Sequence, residues 1–256
     1  MDVSPLVAIL LGLVQGLTEF LPVSSSGHLI LVQALLGVEG NLLLFDVFVH
    51  IGTLVAVFVV FWQDIWAILR RPLQKLTGLI IVACIPAGLM GLLLDDLFEK
   101  LFSSVIVVAI ALVITGVLLL VSDRFRGQKN LTNMKYTDAL LIGISQGIAI
   151  TPGLSRSGTT IFGALLCGLR REDAAKFSFL ISIPVILGAG LKEGLSMVSS
   201  GIEVFEWTYV VGALVAAVSG YVAIRFFIRL LQKGSLRYFS YYVWILAAIV
   251  LISRIF

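Results

Sequence analysis

The chain has 256 residues, of which 59% are hydrophobic and 13% charged, with a mean hydropathy of +1.09. That balance excludes a soluble globular domain, and a formal net charge of +3 carried by short basic clusters excludes a nucleic-acid-binding surface. Repeated apolar runs able to cross about 30 Å of hydrocarbon make it an all-α polytopic integral membrane protein, read as one membrane domain over residues 1–256.

The opening stretch MDVSPLVAILLGLVQG carries an acid and no basic cluster, so it is read as part of the folded protein and not as a signal peptide. Residues 5–38 are apolar but interrupted by FLPVSSSGH, where proline removes a helix donor; a helix, a non-helical break and a second helix are predicted. Full spans follow at 41–61, 77–94 and 103–121. Residues 136–169 return to the interrupted pattern around TPGLSRSG, and further spans are predicted at 177–198, 207–231 and 241–256. Cys84 and Cys167 lie in apolar runs with neither disulfide nor metal-site spacing.

Basic residues set the orientation. Arg70, Arg71 and Lys75, then Arg124, Arg126, Lys129 and Lys135, then Arg170, Arg171 and Lys176, then Lys233 and Arg237 mark cytoplasmic loops. Loops with Asp95, Asp96 and Glu99, and with Glu203 and Glu206, are expected outside, and Trp62, Trp66, Trp207, Tyr238, Tyr241 and Trp244 are placed as interfacial aromatics. Both interrupted regions then begin and end on one side, 5–38 outside and 136–169 inside, and each is expected to be a re-entrant hairpin.

An internal repeat ties the two regions together. Shifting the chain by 131 residues gives eleven identities in a window of 32, among them Gly12/Gly143, Gln15/Gln146, Gly16/Gly147, Ser24/Ser155, Ser26/Ser157, Gly27/Gly158 and Gly37/Gly168. Three spans separate the copies, so the second is inverted: an inverted-topology repeat of about 5–121 and about 136–256, each half one helix-break-helix hairpin plus three transmembrane helices. The polar site belongs where the broken segments meet near the midplane. There the copies differ, with Glu19, Ser25 and His28 in the first facing Ile150, Arg156 and Thr159 in the second.

Ionisable groups at membrane depth face an interior or a cavity, and Glu19 and Arg156 are such groups. Arg156 opens a helix among Ser155, Ser157, Thr159 and Thr160, just after Gly153, and this set of guanidinium, hydroxyls and exposed amides suits phosphate oxygens; the alternative is an Arg156–Glu19 ion pair locking the repeats. Ser24, Ser25, Ser26 and His28 offer a hydroxyl nucleophile with a base, or further phosphate donors; the alternatives are helix capping for the serines and a satisfied buried imidazole. Gln15 and Glu19 share a helix face and suit a hard divalent cation that also binds substrate phosphates. Asp46 and His50 repeat that spacing, either as a second polar layer or as partners of each other.

With these residues in place the sequence resembles the undecaprenyl pyrophosphate phosphatases of the bacterial bacitracin-resistance type. The resemblance covers essentially the whole chain, through QGLTEFLPVSSSGH at 15–28, FDVFVHIGTLVAVFVVFW at 45–62, PGLSRSGTTI at 152–161 and AAKFSFLISIPVILGAG at 174–190. The first and third are the family's (E/Q)XXXE and PGXSRSXXT motifs. The resemblance implies hydrolysis of a polyprenyl diphosphate lipid, undecaprenyl pyrophosphate, to the monophosphate and inorganic phosphate, which recycles the lipid carrier for cell-wall synthesis. It implies a divalent cation, Mg²⁺ first and Ca²⁺ second, a multi-pass place in the bacterial plasma (inner) membrane with the site open to the outer face, and admits a homodimer. Carried over by motif, Gln15 and Glu19 form the acidic, metal-binding face, Ser25 and His28 are nucleophile or acid–base groups, and Ser155, Arg156, Ser157 and Thr159 form the pyrophosphate wall. Position 15 is Gln where many members have Glu, so two carboxylates on the metal are not expected. In the expected mechanism Mg²⁺ and Arg156 neutralise the diphosphate while Ser25 attacks and Glu19 or His28 handles protons; attack by water is the alternative.

Phosphatidic-acid-type phosphatases share SGH and SR motifs but need a histidine downstream of the arginine. Here the histidines are His28 and His50, and neither follows Arg156, which excludes that chemistry. A lipid-phosphate transporter or flippase built on the same inverted-repeat pocket is the competing function.

Overall fold

A computed structural model describes residues 3–38, 42–102, 104–199, 205–233 and 235–252. Glu203 and the ends of the predicted spans at 41, 103 and 253–256 lie outside the described residues. Among the described residues the chain is helical, with no β-strand.

Helix α1 (Pro5–Phe20) starts on Ser4, whose side chain accepts from the Val7 amide, with proline at its first position. It stops at Leu21, one residue before Pro22, and α2 (Ser25–Leu35) restarts on the cap of Ser24. There follow α3 (Leu43–Val60), α4 (Trp62–Arg70), α5 (Lys75–Leu93), α6 (Asp95–Phe102) and α7 (Val105–Ser122). The second interrupted region is α8 (Tyr136–Ile148) and α9 (Arg156–Leu166), and α10 (Arg171–Ser199), α11 (Trp207–Lys233) and α12 (Arg237–Ile252) complete the chain.

Among the described residues α3, α5, α7, α10 and α11 are long and apolar enough to cross a membrane, which makes the protein polytopic. The last predicted span starts earlier than expected, at Arg237, and its 16 described residues make a shorter apolar helix. The span predicted at 177–198 starts at Arg171, because hydropathy marks the part in hydrocarbon while the charged first turn, with Glu172 and Asp173, suits a helix N-terminus in water. Two stretches read as connections are helical. In α4 the Trp62 and Trp66 rings stack at 5.6 Å and the Arg70 guanidinium lies 4.9 Å over Trp66, the composition of an interfacial helix.

Close helix packing uses small residues, as it must where lipid gives no hydrophobic drive. α1 lies along α11: a Cβ on Gly12 would be 2.5 Å from the Gly212 carbonyl oxygen, and one on Gly16 2.5 Å from that of Ala216. α8 lies along α5 in the same manner, Gly143 against Ala83 and Gly147 against Ala87 and Met90. α3 meets both α11 and α10, and α7 meets α12. Phe20, at the end of α1, is fully buried with its ring edge-on to Phe179 of α10 at 5.4 Å, so the residue next to Glu19 is anchored in the core.

Candidate active site

Both breaks are held at a common place. The Ser157 hydroxyl at the start of α9 donates to the Leu21 carbonyl in the first break at 3.2 Å, and Gly158 packs against Pro22. Thr115 of α7 braces the second break, donating to the Gly153 carbonyl at 3.4 Å and accepting from the Ser155 amide at 3.1 Å. Gly153 stands at φ 87° with the Val108 backbone where a Cβ would go, so no larger residue fits. Ser24 also has positive φ, 71°, a strained conformation for a residue with a Cβ; it is the N-cap of α2 and accepts from the Gly27 amide at 3.3 Å.

Glu19 is the centre of the arrangement. Its Oε1 is ion-paired with Arg156 Nη2; its Oε2 accepts from Ser25 Oγ at 2.6 Å and from Gln15 Nε2 at 3.0 Å, with His50 Nε2 at 3.8 Å. Residues brought from the two breaks and from α3 thus converge on one carboxylate that is 8% exposed. A buried carboxylate needs such compensation, and each donor makes the ionised form cheaper. The Arg156–Glu19 ion pair is therefore present, and it leaves Arg156 Nη1 buried without a protein partner.

Of these groups Glu19, Ser25, His50 and Arg156 line a cavity of about 370 Å³. Ser26, Ser155 and Asp46 reach it too; the lining also includes the apolar Leu29, Ile30, Phe102, Val185 and Ile186 and the polar Gln146 and Glu193. Asp46 and His50 do not pair through the carboxylate: His50 Nδ1 sits 2.7 Å from the Asp46 backbone carbonyl, and Asp46 Oδ1 accepts from Gln33 Nε2 at 3.1 Å. They form a second polar layer against the cavity.

Other predicted site residues sit behind that lining. His28 Nδ1 donates to the Ser24 carbonyl at 2.7 Å, leaving Nε2 to accept from the Tyr242 hydroxyl at 2.8 Å, with the two rings stacked. Gln15, Ser24 and Gly153 are likewise outside the lining. Ser155 caps α9 through the Gly158 amide at 3.1 Å and shares a contact with Ser157 at 3.1 Å. Thr160 donates to the Arg156 carbonyl at 2.8 Å and meets Ser178 at 2.6 Å, while Thr159 Oγ1 is buried without a protein partner.

Among the described residues no three or more His, Cys, Asp and Glu side chains gather as a metal cage. Gln15 Oε1 is buried, unpartnered and attached to the residue that holds Glu19. One carboxylate and one neutral oxygen are too few to enclose a hard cation, which would need phosphate or water oxygens for most of its coordination. Two residues join the set on structural grounds: Gln146, which lines the cavity, and Tyr242, which engages His28. The match of Gln146 to Gln15 was a usable signal in the repeat; for Tyr242, 214 residues from His28, local sequence holds none.

Known proteins resemble the chain along nearly its whole length. The model of the family described as bacitracin resistance protein BacA matches residues 8–249. An undecaprenyl-diphosphatase of Carboxydothermus hydrogenoformans is 49% identical over 96% of this chain and 96% of its own length. Proteins of the same name from Halothermothrix orenii, 47% identical over 95% of this chain and 96% of theirs, and from Methanosphaera stadtmanae, 41% identical over 98% of each, are also similar. A family match across nearly the whole chain, with relatives at this identity end to end, means that the chain belongs to the BacA family.

Proposed function

We propose that this membrane protein is an undecaprenyl-diphosphatase, releasing inorganic phosphate from undecaprenyl pyrophosphate and leaving the lipid monophosphate. The observation that carries the chemistry is the Ser25 hydroxyl donating at 2.6 Å to Glu19, itself paired with Arg156, on the lining of a cavity that also has apolar walls. A nucleophile, its base and a cation for phosphate oxygens are thus within reach of one another, and prenyl carbons have a wall to lie on.

Ser25 Oγ attacks the terminal phosphorus while its proton passes to Glu19. The bond from that phosphorus to the bridging oxygen breaks, and lipid monophosphate leaves with the electron pair. Water then attacks the phosphoserine, the bond between phosphorus and Ser25 Oγ breaks, Glu19 returns its proton to Oγ, and inorganic phosphate leaves with the oxygen and protons of the water. Arg156 Nη1 takes the charge that develops on the phosphoryl oxygens. His28, held between Ser24 and Tyr242, positions the serine turn. Gln15 and Glu19 would hold a divalent cation, Mg²⁺ or Ca²⁺, which supplies charge neutralisation when bound.

The proposed scaffold is a pair of inverted repeats with re-entrant hairpins at α1–α2 and α8–α9. Reciprocal packing supports it, since Gly12 and Gly16 meet Gly212 and Ala216 as Gly143 and Gly147 meet Ala83 and Ala87. The chain entering α8 also lies beside the end of α9, with the Lys129 amide donating to the Gly168 carbonyl at 2.9 Å. By the family resemblance we place the protein in the bacterial plasma membrane with the cavity open outward; the basic loops support only the orientation of the spans. Transport is not favoured, as the similar proteins are named as phosphatases.

Purified protein in detergent, given undecaprenyl pyrophosphate with and without Mg²⁺, is expected to release phosphate in a metal-dependent manner. Arg156→Ala is expected to lower the rate by about 10²-fold or more, as loss of one charge-stabilising donor does. No phosphate from the wild type, or full activity in Arg156→Ala, would sink the assignment.

A further inference from the structure

Gln146 sits on α8 at the position that the repeat matches to Gln15, and it is 1% exposed. The two amides differ in what surrounds them. Gln15 has Glu19 four residues on and gives its Nε2 to that carboxylate. Gln146 has Ile150 four residues on, so the equivalent acceptor is missing. Its Nε2 and Oε1 are both buried and both without a protein partner, yet the residue lines the cavity.

Burying a carboxamide with neither atom paired carries the full desolvation cost of both groups, a cost sustained where a ligand supplies the partners. Among the described residues, those lining the cavity that carry buried polar atoms without a protein partner are Gln146 and Arg156, the latter through Nη1. Two nitrogens and one amide oxygen, with hydroxyls of Ser25, Ser26 and Ser155 on the same lining, present more donors than a carboxylate or a single phosphate ester uses. Charge separates the roles, Arg156 drawing the phosphoryl group to be transferred and the neutral amide meeting an oxygen with no ion pair to break.

We infer that Gln146 is a substrate-binding residue, its Nε2 donating to a diphosphate oxygen and its Oε1 accepting from a protonated phosphate oxygen or a water on the diphosphate. The two matched amides of the repeat then have different tasks. In the first copy it holds the carboxylate; in the second it holds the ligand. The inference rests on the phosphatase reading for the identity of that ligand.

The test is Gln146→Leu, which keeps the volume and removes both polar atoms. Affinity for a prenyl methylenediphosphonate, which binds without turnover, is measured by its stabilisation of the protein against heat, beside kcat and KM for phosphate release. The expected result is a melting temperature equal to or above wild type, since an unpaired amide has gone, with affinity for the phosphonate at least 10-fold weaker and KM raised more than kcat is lowered. Wild-type affinity and KM in the variant would overturn the inference, and so would a lowered melting temperature, which would give the amide a structural role. If wild type binds the phosphonate, the variant does not, and neither releases phosphate, the binding role stands and the phosphatase reading fails.

Discussion

Ser25 and Glu19 carry most of the chemical weight, and they depend on each other. Ser25 Oγ donates to the same Glu19 oxygen that Gln15 holds, so the carboxylate is aimed before substrate arrives. Glu19→Gln keeps the shape but replaces the proton acceptor and breaks the pairing with Arg156. A loss of about 10²–10⁴ in kcat is expected, the range for a removed general base, together with little change in helical content by circular dichroism. Ser25→Ala is expected to lose as much and to form no covalent phosphate adduct with labelled substrate; a variant retaining more than about a tenth of wild-type kcat would favour direct attack by water. Glu19 and Arg156 were legible in the sequence, because an ionisable residue in an apolar helix has few bland explanations. The direction of His28 was not. It follows from the positive φ of Ser24 and from a tyrosine on the last helix, neither of which leaves a local pattern.

At the scale of helices, glycine does two different things in the repeat. Gly37 and Gly168 follow α2 and α9 at φ 61° and 83°, the left-handed conformation that ends a helix, with open space where a Cβ would go. Gly12 and Gly143 have no unusual backbone but lie against Gly212 and Ala83, where backbone occupies the volume of a side chain. Gly143→Val therefore forces α8 away from α5 and carries the second break with it. A destabilisation of about 1–3 kcal/mol is expected from such overpacking. It is checked by the melting temperature in detergent, and a variant as stable as wild type would mean that this helix pair is loosely packed. Helices α4 and α6 escaped hydropathy because their apolar residues lie along one face and average out with Asp64 or with Asp95 and Asp96. The 29-residue length of α10 was hidden for a related reason, as its charged first turn lies outside the apolar run.

At the scale of the molecule, several polar contacts between segments near the helix ends fall into two groups. One joins Lys75 to Thr132, Lys176 to Asp64, and Asp123 to Arg171, Ser235 and Arg237. Burial opposes the charge on Asp123, but the Ser235 hydroxyl, the Leu236 amide and Arg171 outweigh it and hold the carboxyl below its ordinary range, so three connections are tied at one anion. The other group joins the Val3 amide to Glu206 and Lys192 to Asp95. These are the two sets of loops that the basic residues had separated, which is what opposite faces of one bilayer require. The proposed hairpins add a stronger demand, that both ends of each interrupted region lie on a single face. In a Cys84→Ala, Cys167→Ala background, Ser4→Cys and Leu36→Cys are expected to react with an impermeant maleimide from the same side as Asp96→Cys. Lys135→Cys and Arg170→Cys are expected to react from the side of Arg126→Cys. Vesicles of both orientations distinguish the two sets, and phosphate release by each variant shows that its fold is intact. Labelling of Ser4→Cys and Leu36→Cys from opposite sides would make α1–α2 a true span and would remove the inversion, since the copies would then be separated by an even number of crossings.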